Sequence, residues 1–239
     1  MKKSVYVVIL AAGKSSRMKG KDKILEKLSN GREVIINTIN KFDEIEVINE
    51  IVVVTREDII DNLKGLTEKY NFKNKINIVK GGATRTQSLF SGLDFIENNF
   101  KISDDSYFII HDGARPLIKS EDIVNCLNNA FKYKAAAVGV KVYDTIKKAD
   151  KNNNIVDTVD RQGLFYIQTP QIFRRDVLNK AIKLAKEKNL DFTDDCQLVE
   201  NIGEKVHIAD GNKLNIKITT NEDLILVNKI LELQNSFDL

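Results

Sequence analysis

Short apolar runs alternate along this chain with amphipathic stretches of helical period, and that alternation restricts its folds more than any other feature. The strand-like runs are Val5–Leu10, Ile51–Thr55, Ile76–Val79, Tyr107–His111 and Ala136–Val140. Helical patterns separate them at Glu33–Phe42, Glu57–Tyr70, Thr86–Glu97 and Ser120–Tyr133. Runs that are apolar on both faces belong inside a sheet covered on both sides, and helical crossovers join parallel strands with a right-handed sense. The expected class is therefore α/β, with a mainly parallel sheet. Ligands of such sheets bind beyond the carboxyl ends of the strands. Three segments, Ala11–Met18, Gly81–Ser88 and His111–Pro116, leave such ends and are expected to converge.

The pattern changes after Val140. Residues 141–160 read as two short strands, around Asp144–Lys148 and Ile155–Val159, joined by the turn-rich Asp150-Lys151-Asn152-Asn153-Asn154. Asn and Asp tolerate the left-handed conformations that tight turns need, so this is a hairpin arm. Too poor in apolar residues for a core of its own, the arm must pack on something, and a second subunit is the expected partner. Beyond it, Arg174–Lys188 and Thr193–Ile202 read as helices, the latter capped by Thr193. Lys205–Ala209 and Leu214–Thr219 read as strands, and Asn221–Gln234 as a closing helix. The whole chain, residues 1–239, is read as one domain with the arm as a subdomain within it.

Bulk properties exclude several classes. The 37 basic and 34 acidic side chains nearly balance, with no dense basic tract, which argues against a nucleic-acid binder. Cys126 and Cys196 are far apart and only His111 and His207 supply imidazoles, so a zinc site is not expected. No stretch approaches the ~20 apolar residues of a membrane span. The opening Met1-Lys2-Lys3 and apolar run superficially resembles a signal peptide, but it leads into a basic loop rather than a cleavage site. A cytoplasmic protein with reduced thiols is expected.

The loop after the first strand, Ala11-Ala12-Gly13-Lys14-Ser15-Ser16-Arg17-Met18, joins small residues to basic ones. Either its backbone amides approach an anion closely, a nucleotide phosphate fitting best, or it is a plain strand-to-helix connection. It is not a P-loop, which needs a glycine where Val8 stands, nor does G-x-G-x-x-G follow the strand. Gly81-Gly82-Ala83-Thr84-Arg85-Thr86-Gln87-Ser88 either lets backbone approach a base or phosphate or merely eases entry into a helix. Asp112, at the tip of an apolar strand, is either a turn former or a carboxylate near ribose, phosphates or Mg²⁺. In Asn215-Ile216-Lys217-Ile218-Thr219, inward Ile216 and Ile218 would send Lys217 to the other face, either into a site or to solvent at an edge. His111 reads as a neutral core or loop histidine. Pro116 and Pro170 mark loops of defined shape.

In order and spacing these motifs resemble the 2-C-methyl-D-erythritol 4-phosphate cytidylyltransferases over nearly the full chain. The matching segments are Ala11–Met18, Gly81–Ser88, His111–Pro116, Asp144-Thr145-Ile146-Lys147, Val159-Asp160-Arg161, Gln168–Phe173, Thr193-Asp194-Asp195 and Asn215–Thr219. The resemblance implies a single Rossmann-like nucleotidyltransferase domain with a projecting β-hairpin arm. It implies CMP transfer from CTP to a polyol phosphate, with pyrophosphate leaving and Mg²⁺ as cofactor, in the synthesis of isoprenoid precursors. By the same resemblance Arg17, Lys23, Arg161 and Lys217 would be catalytic. Ala11, Ala12, Gly13, Gly82, Arg85, Ser88, Asp112, Ala114 and Arg115 would bind the nucleotide. Asp112, Thr145, Arg161, Thr169, Thr193 and Lys217 would hold the second substrate, and Asp112 would be the protein's carboxylate toward the metal. Family members are homodimers, so Thr145 and Arg161 would act in the neighbour's site.

One departure matters. Where the family has Pro-Lys-Gln, this chain has Asp22-Lys23-Ile24, so Lys23 or Lys21 supplies the second basic residue. Two rivals stand beside this reading: a ribitol-5-phosphate cytidylyltransferase and a non-catalytic nucleotide-binding protein on the same scaffold. Arg161-Gln162-Gly163-Leu164-Phe165 favours the methylerythritol substrate, and the presence of Arg17, Arg161 and Lys217 favours catalysis.

Overall fold

The computed structural model describes residues 3–18, 22–188, 190, 192 and 194–237. Seven strands form its main sheet: β1 (Val5–Ala11), β2 (Ile48–Thr55), β3 (Ile76–Lys80), β4 (Tyr107–Asp112), β5 (Ala135–Lys141), β8 (Phe165–Arg174) and β9 (His207–Asp210). The spatial order is β3-β2-β1-β4-β8-β5-β9. Every pairing is parallel except those of β8, which runs antiparallel between β4 and β5. A separate two-stranded sheet pairs β6 (Ile146–Ala149) with β7 (Ile155–Val159) and is the expected arm.

Period-two alternation distributes the core to both faces of the sheet. Val5, Val7 and Ile9 pack with α1 (Val34–Asp43), α2 (Ile60–Thr67) and α4 (Ser120–Tyr133). Tyr6 and Val8 face the other way, toward α3 (Arg85–Asn99), α5 (Arg175–Lys188) and α6 (Asp195–Glu200). A third cluster joins Met18, Ala114 and Ile218 to Val227 of α7 (Asn221–Phe237). Each of the first three comes from a different loop at the carboxyl edge of the sheet, so the last helix ties those loops together.

The structure revises several local readings. The sequence pattern gave no strand at Phe165–Arg174, because polar Gln168, Thr169 and Gln171 interrupt its apolar residues. Thr169 and Gln171 are nevertheless buried, and internal hydrogen bonds satisfy them (below). The following helix begins at Arg175 rather than Arg174. Leu214–Thr219 is not a strand; among the described residues its one backbone bond to the strand-end loops is Ile218 N–H to the Ala114 carbonyl, at 2.8 Å. The helix expected from Glu57 splits into a 3-10 turn, Glu57–Ile59, and the short α2. The expected Thr193 cap lies outside the described residues, and Asp194 caps α6 by accepting from the Gln197 amide.

Candidate active site

The carboxyl ends of β1, β2, β3 and β4 open into one cleft of about 550 Å³. Its walls come from three loops. Ala11 ends β1, and Ala12, Gly13 and Lys14 follow it; Gly81, Gly82, Ala83 and Thr84 follow β3; and Asp112 ends β4, with Ala114 just beyond. Lys23, Arg85, Ser88 and Lys217 complete the charged and polar lining, with Arg56, Glu57 and Asp58 at the end of β2. The convergence expected of the three strand-end segments is observed.

Local chemistry fixes these loops. Thr84 caps α3 by accepting from the Gln87 amide at 3.2 Å, and Gln87 Oε1 accepts from the Ala83 amide at 2.9 Å. This reciprocal box leaves no room at Gly82, where a Cβ would meet the Gln87 Cβ at 2.3 Å. Ser88 Oγ donates to the Thr84 carbonyl at 2.9 Å and accepts from the Gly82 amide at 3.2 Å, folding the loop over the start of the helix. Gly13 is different: a Cβ there would meet no protein atom within 4 Å, so the space it spares belongs to the open cleft wall.

Asp112 is the electrostatic centre. Lys217 Nζ lies 2.9 Å from its carboxylate, Arg115 Nε 3.3 Å and Arg85 Nη2 3.9 Å. Burial alone would raise its pKa, but the Lys217, Arg85 and Arg115 charges outweigh that and hold the carboxyl well below the usual range. Burial, and after it the Lys217 charge, lowers the pKa of Lys23. The Asp112 amide donates to Thr169 Oγ1 at 3.0 Å, and that hydroxyl lies 3.0 Å from His111 Nδ1. His111 Nε2 faces the Arg115 carbonyl at 3.3 Å, which can only accept, so Nε2 carries the proton and Nδ1 accepts from Thr169. Burial pushes His111 down to about 3, as a neutral interior histidine requires.

Arg85 grips Asp195 through two bonds of 2.5 and 2.7 Å. Burial pushes the Asp195 carboxyl up while the guanidinium pulls it down; Arg85 itself stays charged, because the Asp195, Asp112 and Asp194 carboxylates together outweigh its own burial. Gln171 Oε1 fixes the start of α6 beneath them by accepting from the amides of Asp195 and Cys196 at 2.9 and 3.0 Å.

A model of the family described as IspD, 2-C-methyl-D-erythritol 4-phosphate cytidylyltransferase, matches residues 5–233. The chain belongs to this family. A Caldanaerobacter subterraneus relative of that name is 43% identical over 230 residues, 95% of this chain and 99% of the relative. A Clostridium botulinum relative of the same name is 39% identical, over 95% of this chain and 96% of its own. Among solved structures, the 4-diphosphocytidyl-2C-methyl-D-erythritol synthase of Anaerococcus prevotii superposes with a TM-score of 0.82 at 32% identity, covering 97% of both chains. The Francisella tularensis cytidylyltransferase follows at 0.80 and 30% identity, covering 95% of this chain and 99% of its own.

Of the residues that the cytidylyltransferase resemblance singled out, Ala11, Ala12, Gly13, Lys23, Gly82, Arg85, Ser88, Asp112, Ala114 and Lys217 line the cleft. Arg17 is exposed beside it, and its charge acts on Lys23. Arg115 is turned inward, to Asp112 and to the Asn215 carbonyl at 2.8 Å. The Thr169 hydroxyl is buried and already shared between Asp112 and His111, so its observed task is to orient them. Thr145 and Arg161 lie with the arm, away from the cleft lining; the Arg161 guanidinium bonds the Tyr143 carbonyl. Thr193 and Lys21 fall outside the described residues. The sequence reading missed Arg56, Glu57 and Asp58, although they leave β2 at the same sheet edge as the recognised loops.

Proposed function

We propose that this chain transfers a cytidylyl group from CTP to 2-C-methyl-D-erythritol 4-phosphate, giving 4-diphosphocytidyl-2-C-methyl-D-erythritol and pyrophosphate. The observation that carries the reading is the cleft itself, in which small-residue loops meet Lys23, Lys217 and Arg85 around an ionised Asp112. An oxygen of the polyol phosphate attacks the α-phosphorus of CTP; the new P–O bond forms as the bond to the bridging oxygen breaks, and pyrophosphate departs. Such a transfer asks for positioning and charge stabilisation rather than a protein nucleophile. Lys23 and Arg17 brace the triphosphate, Gly82 and Ser88 face the cytidine, and Lys217 holds the incoming phosphate. The family name shared by the relatives favours methylerythritol phosphate over ribitol phosphate as acceptor.

Mg²⁺ fits this donor set as an ion held chiefly by the nucleotide. Among the described residues no group of three His, Cys, Asp or Glu side chains could cage a metal. Asp112 offers one ionised carboxylate, and Mg²⁺ commonly takes one or two carboxylates with phosphate oxygens and water. When bound it would neutralise phosphate charge.

The arm supports a homodimer. Tyr143, Ile155, Val156 and Tyr166 are exposed on and beside it, as surfaces awaiting a partner would be. In that dimer Thr145 and Arg161 reach the opposite subunit's cleft. Among the described residues no helix is long and apolar enough to cross a membrane, and a cytoplasmic location suits a CTP-consuming enzyme.

CTP-dependent pyrophosphate release, measured with methylerythritol phosphate and with ribitol phosphate, tests the activity; turnover with neither would overturn it. Mixing Arg17→Ala with Arg161→Ala subunits tests the shared site. Random exchange should restore roughly a quarter of wild-type activity through heterodimers. Activity that stays near zero in an exchanging mixture would place both residues in one chain's site.

A further inference from the structure

We infer that Arg56 is a positioning residue that masks the carboxylate of Asp22, leaving the adjacent Lys23 to act on the triphosphate. The inference rests on the cytidylyltransferase reading above.

The register of the sheet puts Arg56 in place. Thr55, the last residue of β2, pairs with Ala11, the last of β1, so the next residue on β2 stands level with the Ala12–Gly13 loop. From there one guanidinium gathers three segments. Nη1 donates to the Gly13 carbonyl at 2.9 Å, Nη2 to Asp22 Oδ2 at 2.5 Å, and Nε to Asp58 Oδ1 at 3.1 Å. Asp58 is 68% exposed, whereas Arg56 and Asp22 are each only 19% exposed. The half-buried partnership is therefore the one with Asp22. Ser15 completes the link, its Oγ accepting from the Lys23 amide at 3.3 Å.

The sequence explains why a mask is needed. This chain departs here from the family's usual Pro-Lys-Gln, and the departure sets a carboxylate, Asp22, immediately before the lysine that lines the cleft. An uncompensated Asp22 would do two harmful things: repel the phosphates, and draw the Lys23 ammonium toward itself. Its charge already acts on Lys23 in the sense opposite to burial. The bond to Arg56 spends that carboxylate elsewhere, and the same guanidinium covers the Gly13 carbonyl, the outward negative end of a loop built to receive an anion. A lysine could supply the charge but not the fork.

Steady-state kinetics and calorimetric CTP binding on wild type, Arg56→Gln, Asp22→Asn and the double variant test this. Arg56→Gln should lower kcat/KM for CTP about 30-fold, equivalent to ~2 kcal/mol at tenfold per 1.4 kcal/mol. Asp22→Asn should stay within about threefold of wild type, and adding it to Arg56→Gln should restore activity to within about threefold of Asp22→Asn alone. A bond that served only to pin the loop would make Asp22→Asn damaging and leave the double variant no better than Arg56→Gln; either result overturns the inference. So would an Arg56→Gln variant of normal activity. If Arg56→Gln does not fold, Asp22→Asn alone decides, a loss of activity counting against masking. An inactive wild type would instead refute the cytidylyltransferase reading.

Discussion

Replacing Arg85 by methionine isolates a buried ion pair beside the cleft wall. The Asp195 side chain is only 2% exposed and takes both oxygens' bonds from one guanidinium, at 2.5 and 2.7 Å. Removing one member of such a pair strands the other, at ~3–5 kcal/mol. At ~2–4 °C per kcal/mol for a chain of this size, melting should fall by roughly 6–20 °C. The pH dependence is more diagnostic than the size. Burial already raises the Asp195 carboxyl, and Arg85 is the group pulling it down, so the variant's folded pKa rises further. A raised folded pKa gives stability that is present below the unfolded value and lost as pH rises through the folded one. The variant's deficit relative to wild type should therefore be greatest at pH 8 and shrink toward pH 5. Asp112, 3.9 Å from Arg85, should contribute little to this trend because Lys217 and Arg115 also hold it ionised. Differential scanning calorimetry without nucleotide, across that range, reads the difference directly. A deficit that grows toward acid, or Arg85→Met melting like wild type, would refute the reasoning.

Other consequences follow from the same geometry. Lys23→Ala should lower kcat by on the order of 100-fold with little change in melting temperature, as loss of a preorganised donor does; near-normal turnover would move that role to another basic residue. Thr169→Val removes the hydroxyl shared by Asp112 and His111 and should cost ~1–3 kcal/mol in thermal unfolding. Its KM for the polyol phosphate should change less than about threefold, and a much larger change without destabilisation would make Thr169 a substrate ligand. His111 should stay neutral in an NMR titration down to about pH 4, because burial sets it near 3. Since the unfolded chain takes up that proton near 6.5, stability should be lost as pH falls from there toward 3; protonation of the folded imidazole near pH 6 would contradict this.

The parallel half of the fold was legible because β1, β2, β3 and β4 are bounded, nearly continuous apolar runs whose helices carry clear amphipathic period. The strand β8 was not, since Gln168, Thr169 and Gln171 look like loop residues until their partners are known. Gln171 accepts from the amides of Asp195 and Cys196, and Thr169 meets Asp112 and His111, partners 24 to 58 positions away. Local pattern cannot price a bond of that range. At Leu214–Thr219 the alternation was right about facing and wrong about pairing. Ile218 is fully buried and Lys217 reaches Asp112, yet among the described residues no strand lies alongside. The cleft lining was readable in its glycines and lysines, while Arg56 was hidden because an arginine after a strand has no signature until Gly13 and Asp22 stand opposite it.

The reversed direction of β8 has a further consequence. The chain leaves β5 at Lys141 and re-enters the sheet at Phe165, and those two residues are cross-strand partners. Everything between them is thus an excursion whose ends are already held together by the sheet. Lengthening such an excursion costs only slowly growing closure entropy, ~0.6 kcal/mol for each doubling. That segment can therefore be redrawn, in length and in sequence, without disturbing β1, β4 or the loops that line the cleft. A scaffold with that separation is suited to keeping one cleft while the arm beside it changes.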